Sequence, residues 1–222
     1  MSGRPRCLHR RTARDQRGAV AVEAALVLPI LMAVIFGIVE ITLLVKDDVA
    51  ITSATRQGAR VASAAADAGP GTCPSGAGAP VCTPTSTPAF AQAAADAIQH
   101  AGQSMPQDLI KYILIYKANK KGFPGGESTT TMPTSCSGIT ACVMFKWWAP
   151  SDSFRYDSGT WDSASVNACV NEGDTLGIYL RATHKFSTGF LGDGASLEDR
   201  AVMKFEPLDP DSCKPGTVTP HP

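Results

Sequence analysis

The fold of this chain is decided near its N-terminus by Arg17-Gly18-Ala19-Val20-Ala21-Val22-Glu23, which opens an apolar run that reaches Val45. A helix over 19–45 is about 40 Å long at 1.5 Å per residue, and the hydrocarbon core of a bilayer is about 30 Å thick. The centre of the run, 24–39, contains no charged residue. The run therefore predicts a transmembrane helix over 19–45.

The segment that precedes this run is basic, because its arginines are opposed only by Asp15. Cytoplasmic flanks of membrane helices carry an excess of Lys and Arg. We therefore expect 1–18 to be a cytoplasmic leader of a single-pass protein of the cytoplasmic membrane, with the C-terminal part outside. A cleaved secretory signal is the competing interpretation, but its apolar core is shorter and is followed closely by a small-x-small site. The arginines of the leader are Arg4, Arg6, Arg10, Arg11, Arg14 and Arg17.

Two carboxylates bracket the uncharged centre of the predicted membrane helix. Glu23 lies just inside it, where a charge costs a few kcal/mol on insertion scales, so Glu23 is a candidate assembly or recognition residue. The alternative is a carboxylate that extends to the cytoplasmic headgroups. Glu40 lies near the outer end and either reaches the outer interface or contacts another helix.

Three further residues bear on how this helix packs. Pro29 removes one backbone hydrogen bond in the helix interior, which predicts a kink. Ala33 and Gly37 are four residues apart, and this spacing of small residues makes them a candidate packing point between membrane helices.

Beyond the membrane the helix is predicted to continue as a stalk over 46–68. Gly58 alone interrupts it, at a cost of about 1 kcal/mol, and Gly69-Pro70-Gly71 is the first strong stop signal. The alternative is a helix that stops near Asp48 and is followed by a loose alanine-rich linker.

These residues resemble the TadE-like family of the tight-adherence (Tad) pilus apparatus, a branch of the type IV pilin-like proteins. The resemblance covers about 17–62, roughly a quarter of the chain. In the stalk it includes the family's Ala-x-Arg-x-Gly-Ala-Arg pattern, here with Arg56, Gly58 and Arg60. The other matching segments are Arg17-Gly18, Ala21-Val22-Glu23-Ala24-Ala25-Leu26-Val27-Leu28-Pro29 and Gly37-Ile38-Val39-Glu40.

The resemblance implies a minor pseudopilin or a membrane component of Tad pilus assembly. In such proteins a membrane prepilin peptidase cuts after a glycine, here between Gly18 and Ala19. The new amine of Ala19 and the carboxylate of Glu23 would then lie one turn apart on one face of the helix. The implied partners are the lipid bilayer, other pilus-machine proteins or pilin subunits, and the peptidase.

Residues 46–222 contain 14 basic and 17 acidic residues, a net charge of −3, which argues against nucleic acid as a partner. Six of the seven cysteines lie in this part, and an even number on the oxidising side of a membrane indicates disulfides. Proximity favours the pairs Cys73–Cys82, Cys136–Cys142 and Cys169–Cys213, among fifteen possible pairings.

The region over 69–207 is predicted to be a small α+β domain with an antiparallel sheet, followed by a Pro-rich tail over 208–222. Alternating residues place Ile113 and Ile115 on one face of the first strand and Tyr112, Leu114 and Tyr116 on the other. Beside one short helix from Phe90 to Ala101, we expect strands over 109–118, 141–148, 175–186 and 197–205.

The sequence contains no motif that indicates an enzyme. His100 and His184 have no recognisable nucleophile beside them, and the cysteine spacings are not those of a metal site, so we expect no metal or cofactor. A cluster of aromatic residues keeps open a second hypothesis, a membrane-anchored binding module for a glycan or protein ligand. The aromatic residues are Trp147, Trp148, Phe154, Tyr156 and Trp161.

Overall fold

The computed structural model describes residues 15–102, 105–189 and 192–216, with side chains from Gly18 onward. Most of the basic leader, 1–14, therefore lies outside the described residues, as does the end of the tail from 217. The longer elements within them are the helices α1 (Asp15–Ser63) and α2 (Ala89–Ala101), and the strands β1 (Ile110–Lys117), β2 (Cys142–Trp148), β3 (Ser153–Thr160), β4 (Thr175–His184) and β5 (Ala195–Lys204).

The first helix runs without interruption from Asp15 through Pro29 to Ser63. This confirms the continuous helix and contradicts the alternative of a helix that stops near Asp48. The helix ends at Ser63 rather than at 68, because the chain after β5 binds its last turn. There the backbone N–H of Glu206 donates to the carbonyl of Ser63, at 2.9 Å.

The five strands form one antiparallel sheet in the order β3-β2-β1-β4-β5. The α+β class is therefore confirmed, and four of the strands lie close to their predicted positions. Strand β3 was not predicted. It forms an edge of the sheet, where the side-chain amides of Gln92 and Gln99 on α2 donate to the carbonyls of Phe154 and Asp152, each at 3.0 Å.

The main core lies between the sheet and the two helices. Ile113 and Ile115 face it, as the alternation predicted, together with alternate residues of β4. The helices approach each other closely at Gly58, where a Cβ atom would lie 2.6 Å from Cγ1 of Ile98 on α2 and 3.2 Å from the carbonyl oxygen of Ala94. The Gly58 position in the family pattern therefore allows α1 and α2 to pack at this distance.

A second layer covers the other face of the sheet. Tyr112, Leu114 and Tyr116 point to this side, where the loop between β1 and β2 packs over the sheet. The hydroxyl of Tyr116 donates to the carbonyl of Gly122 at 3.0 Å, and burial raises the pKa of Tyr116 to about 12. This loop is therefore a packed part of the domain.

Three disulfides join the six cysteines in the predicted pairs Cys73–Cys82, Cys136–Cys142 and Cys169–Cys213. The last pair draws the tail back onto the domain. Its residues up to Gly216 are tied by backbone hydrogen bonds, including one from Leu208 N to Ala168 O at 3.0 Å. The described part of the tail is thus packed against the domain.

Candidate functional site

The N-terminal half of α1 makes almost no contact with the rest of the described protein. Side chains from Ala19 to Val39 are exposed, with Leu26 and Ile30 each 68 % exposed, and only Gly37 is partly covered. Within the described residues, α1 is the one helix long and apolar enough to cross a membrane. We refer to 19–39 as the bare segment.

The bare segment holds most of the residues that the sequence analysis selected in the membrane. Glu23 is exposed on it and has no hydrogen-bond or ion-pair partner among the described residues. A Cβ atom at Gly37 would have no neighbour within 4 Å, and Ala33 is also exposed. These residues are therefore free to contact lipid or another helix.

The contact between α1 and the sheet domain begins at Glu40. The backbone N–H of Thr188, in the turn between β4 and β5, donates to Oε1 of Glu40 at 2.6 Å, and Glu40 is only 1 % exposed. A turn of its own chain thus covers Glu40, a contact that the sequence did not predict. Its role in recognition remains a prediction.

A second polar contact lies about two helical turns further along α1. Nδ1 of His184, the last residue of β4, lies 2.7 Å from Oδ2 of Asp47, and both side chains are buried. The ring of Phe186 packs edge-on against the His184 ring with the centroids 5.2 Å apart. We call the set Glu40, Asp47, His184 and Thr188 the junction.

The junction was not predicted as a unit. Glu40 and Asp47 are seven residues apart, which places them on one face of a helix, and this spacing was the available signal. Their partners lie more than 130 residues later in the chain, so only the packing of α1 on β4 reveals them. Oε2 of Glu40 and Nε2 of His184 are buried and have no partner among the described residues.

The stalk half of α1 has two different faces. Ala54, Gly58 and Ala62 are buried against the domain, whereas Arg56 and Arg60 point outward and have no partner among the described residues. These arginines border an open groove of about 400 Å³ between α1 and β5. We call this surface the arginine face; its lining residues are Val49, Thr52, Ser53, Arg56, Gln57, Arg60 and Met203.

The comparison with known families found a match, which lies in this helix. Residues 18–60 match the family model of the TadE-like protein. The match contains the bare segment, both carboxylates of the junction and the α1 residues of the arginine face, and it ends three residues before α1 does. The resemblance is confirmed over this segment, which points to a component associated with the Tad pilus.

The comparisons found no match among curated proteins, and none among solved structures. TadE-like proteins are pilus-assembly components and are not known as enzymes. Within the described ranges, no three His, Cys, Asp or Glu side chains are grouped so that they could hold a metal ion.

Outside the TadE-like segment, the predicted aromatic cluster does not form one binding surface. Phe154 and Trp161 are fully buried in the core, and Trp161 packs edge-on against Phe90. Trp147 and Trp148 are half-buried and line separate grooves. A flat aromatic platform of the kind that stacks on sugar rings is not formed by these residues.

Proposed function

We propose that this protein is a membrane-anchored component of Tad pilus assembly, either a minor pseudopilin or a membrane component of the machine. One observation carries the proposal: the TadE-like segment contains a membrane-length helix and, beyond it, Arg56 and Arg60, which the protein's own domain leaves uncovered. The protein would act by helix packing in the membrane and by protein contacts outside it.

The bare segment is the proposed membrane span. From 19 to 39 it is about 31 Å long, which fits a hydrocarbon core of about 30 Å. We therefore propose an outer boundary at Val39 rather than at Val45, because one face of α1 packs on its own domain from Glu40 onward. The basic leader favours a cytoplasmic N-terminus, and the three disulfides favour an external domain.

In the membrane, Glu23 is the proposed assembly residue. Cleavage between Gly18 and Ala19 would place a positive amine one turn before its carboxylate, and opposite charges attract more strongly in a low-dielectric setting. The Glu23 carboxylate would neutralise its own amine or that of a neighbouring subunit. Pro29, Ala33 and Gly37 would shape the surface through which the helix packs on its neighbours.

The test of this step is the N-terminus of the protein extracted from its native membrane, measured by intact mass and terminal sequencing. We expect a chain that begins at Ala19, and we expect Glu23→Gln to reduce pilus number while the protein stays in the membrane. A chain that still begins at Met1 would refute processing, and normal piliation by Glu23→Gln would refute the assembly role.

Outside the membrane, the arginine face is the proposed contact with another pilus-machine protein. Arg56 and Arg60 are one turn apart on an exposed helix face, so both guanidinium groups can bind carboxylates of one partner. Exposed pairs contribute little individually, but charges across an interface suppress wrong partners and fix register.

The experiment compares Arg56→Glu/Arg60→Glu with a matched charge reversal at Lys120 and Lys121, two exposed lysines in the loop that packs on the face of the sheet opposite α1. We expect the arginine variant to lose pili at an unchanged protein level in the membrane, and the lysine variant to keep them. A photo-crosslinker at the exposed Gln57 should capture a pilus-machine protein in the wild type and not in the arginine variant. Normal piliation by the arginine variant would refute this contact surface.

A further inference from the structure

The turn between β4 and β5 extends beyond the end of the sheet along α1. His184, the last residue of β4, is bonded to Asp47, whereas Thr188 four residues later is bonded to Glu40. Asp47 and Glu40 are seven residues apart on α1, which corresponds to about 10 Å along the helix axis. The turn therefore reaches about 10 Å further than the sheet toward the bare segment.

The place where this turn meets α1 is the place where the bare segment ends. Val39 is 48 % exposed, and the next residue, Glu40, is 1 % exposed beneath the turn. If 19–39 fills the hydrocarbon, as the proposed function requires, then Glu40 lies at its outer boundary and the turn lies in the adjoining headgroup layer. The inference rests on the proposed function in this respect.

The chemistry of the turn suits that layer. A carboxylate exposed to acyl chains is costly, and the backbone N–H of Thr188 together with the cover of the turn shields the Glu40 carboxylate from them. Lys185 and Ser187 are exposed on the outside of the turn and can bind phosphate and glycerol oxygens. Phe186 remains half-buried against His184.

We propose that the described part of this turn, 185–189 and 192–194, is seated on the phospholipid headgroups of the outer leaflet. Glu40 is the residue that holds it there, and the seat fixes the height and tilt of the sheet domain above the membrane. The partner of this surface is a phospholipid bilayer.

The experiment places a nitroxide probe at three positions in the full chain, reconstituted in nanodiscs of phosphatidylethanolamine and phosphatidylglycerol. Each carries Cys7→Ser, so that one introduced cysteine is the labelling site beside the three disulfides. The positions are Ser187→Cys in the turn, Val34→Cys in the bare segment and Ser165→Cys, exposed at the far end of the domain. Collision rates with oxygen, which concentrates in lipid, and with a water-soluble nickel chelate then report depth.

We expect the oxygen-to-nickel collision ratio to be highest for the probe at position 34 and lowest for the probe at position 165. The ratio at position 187 should be intermediate and several-fold higher than the ratio at position 165. Equal ratios at positions 187 and 165, together with a probe at position 34 that lies in lipid, would refute the contact of the turn with the headgroups but not the proposed membrane span. A probe at 34 that collides freely with the nickel chelate would refute the span, and with it both proposals.

A second measurement tests the role of Glu40. In the Ser187→Cys protein, Glu40→Ala should sharpen the nitroxide spectrum and raise its collision rate with nickel several-fold, because the turn loses its attachment to α1. Asp48→Ala, at an exposed position on the same helix, should leave both unchanged. Identical spectra for the two variants would refute Glu40 as the residue that holds the turn.

Discussion

Replacing Gly58 by alanine should destabilise the protein although alanine is the better helix former. The added methyl gains about 1 kcal/mol of helix propensity. It would also lie 2.6 Å from Cγ1 and 2.8 Å from Cδ1 of the fully buried Ile98, and 3.2 Å from the carbonyl oxygen of Ala94. Overpacking of a core costs about 1–3 kcal/mol. Because two of these contacts are shorter than 3.0 Å, we expect a cost in the upper part of that range, about 2–3 kcal/mol, and therefore a net loss of about 1–2 kcal/mol in the free energy of unfolding.

The effect of Gly58→Ala on the free energy of unfolding should change sign when Ile98 is truncated to alanine. Ile98→Ala alone costs about 2–5 kcal/mol, because it leaves a cavity. In that background both atoms nearest to the new methyl are gone, so Gly58→Ala should be neutral or stabilising by up to about 1 kcal/mol. The coupling energy in the double-mutant cycle is then about 2 kcal/mol.

The cycle is measured by urea unfolding of the full chain in detergent with disulfides intact, followed by tryptophan fluorescence, since all three tryptophans lie in the sheet domain. Gly37→Ala is the control, because its methyl meets nothing within 4 Å, and it should cause no loss. A Gly58→Ala protein as stable as the wild type, or equal effects in both backgrounds, would refute close packing of α1 on α2.

Three other predictions concern stability. Asp47→Ala should lower the free energy of unfolding in urea by about 1–3 kcal/mol, because it leaves His184 buried without a partner at either ring nitrogen. An unchanged unfolding midpoint would contradict the contact between Asp47 and His184. Replacing both cysteines of Cys169–Cys213 by serine should cost about 4 kcal/mol of unfolding free energy, and replacing those of Cys136–Cys142 about 2 kcal/mol. The first disulfide contributes more because it closes the longer loop in the unfolded chain, with a sequence separation of 44 against 6. The reverse order of unfolding midpoints would refute this argument. Burial raises the pKa of Tyr116 from 10 to about 12, so the stability that its neutral hydroxyl contributes is complete below pH 10 and is lost as the pH rises to about 12. A Tyr116→Phe protein should therefore lose less stability than the wild type between pH 10 and pH 12. Identical pH profiles of the two proteins would contradict this.

The sequence predicted those parts of the fold in which a local pattern decides the structure. Ile113 and Ile115 alternate with Leu114 and Tyr116, and this alternation alone assigns the two faces of β1. The same holds for the long helix, because an apolar run and then an alanine-rich run contain no strong stop signal. Disulfides between neighbouring cysteines follow from short loops in the same way.

Strand β3 escaped prediction because its alternation is incomplete. Phe154 and Tyr156 alternate in its first half, but Asp157, Ser158 and Gly159 follow, and such residues are typical of turns. The strand forms because β2 on one side and the amides of α2 on the other satisfy its backbone. Those partners are tertiary contacts, which a local pattern does not contain.

The junction escaped prediction for a similar reason. Glu40 was assigned to the membrane because it lies in an apolar run, and only the fold shows that Thr188 covers it. Asp47 and His184 are 137 residues apart, and nothing in either local sequence marks them as partners. What the sequence did contain was the seven-residue spacing of Glu40 and Asp47 on one helix face.

The central claim, a role in Tad pilus assembly, is tested most directly by deleting the gene in its native host and counting pili on the cell surface. The account predicts that surface pili are lost and that the wild-type gene restores them, whereas the Arg56→Glu/Arg60→Glu variant does not. Normal pilus numbers in the deletion strain would contradict the account.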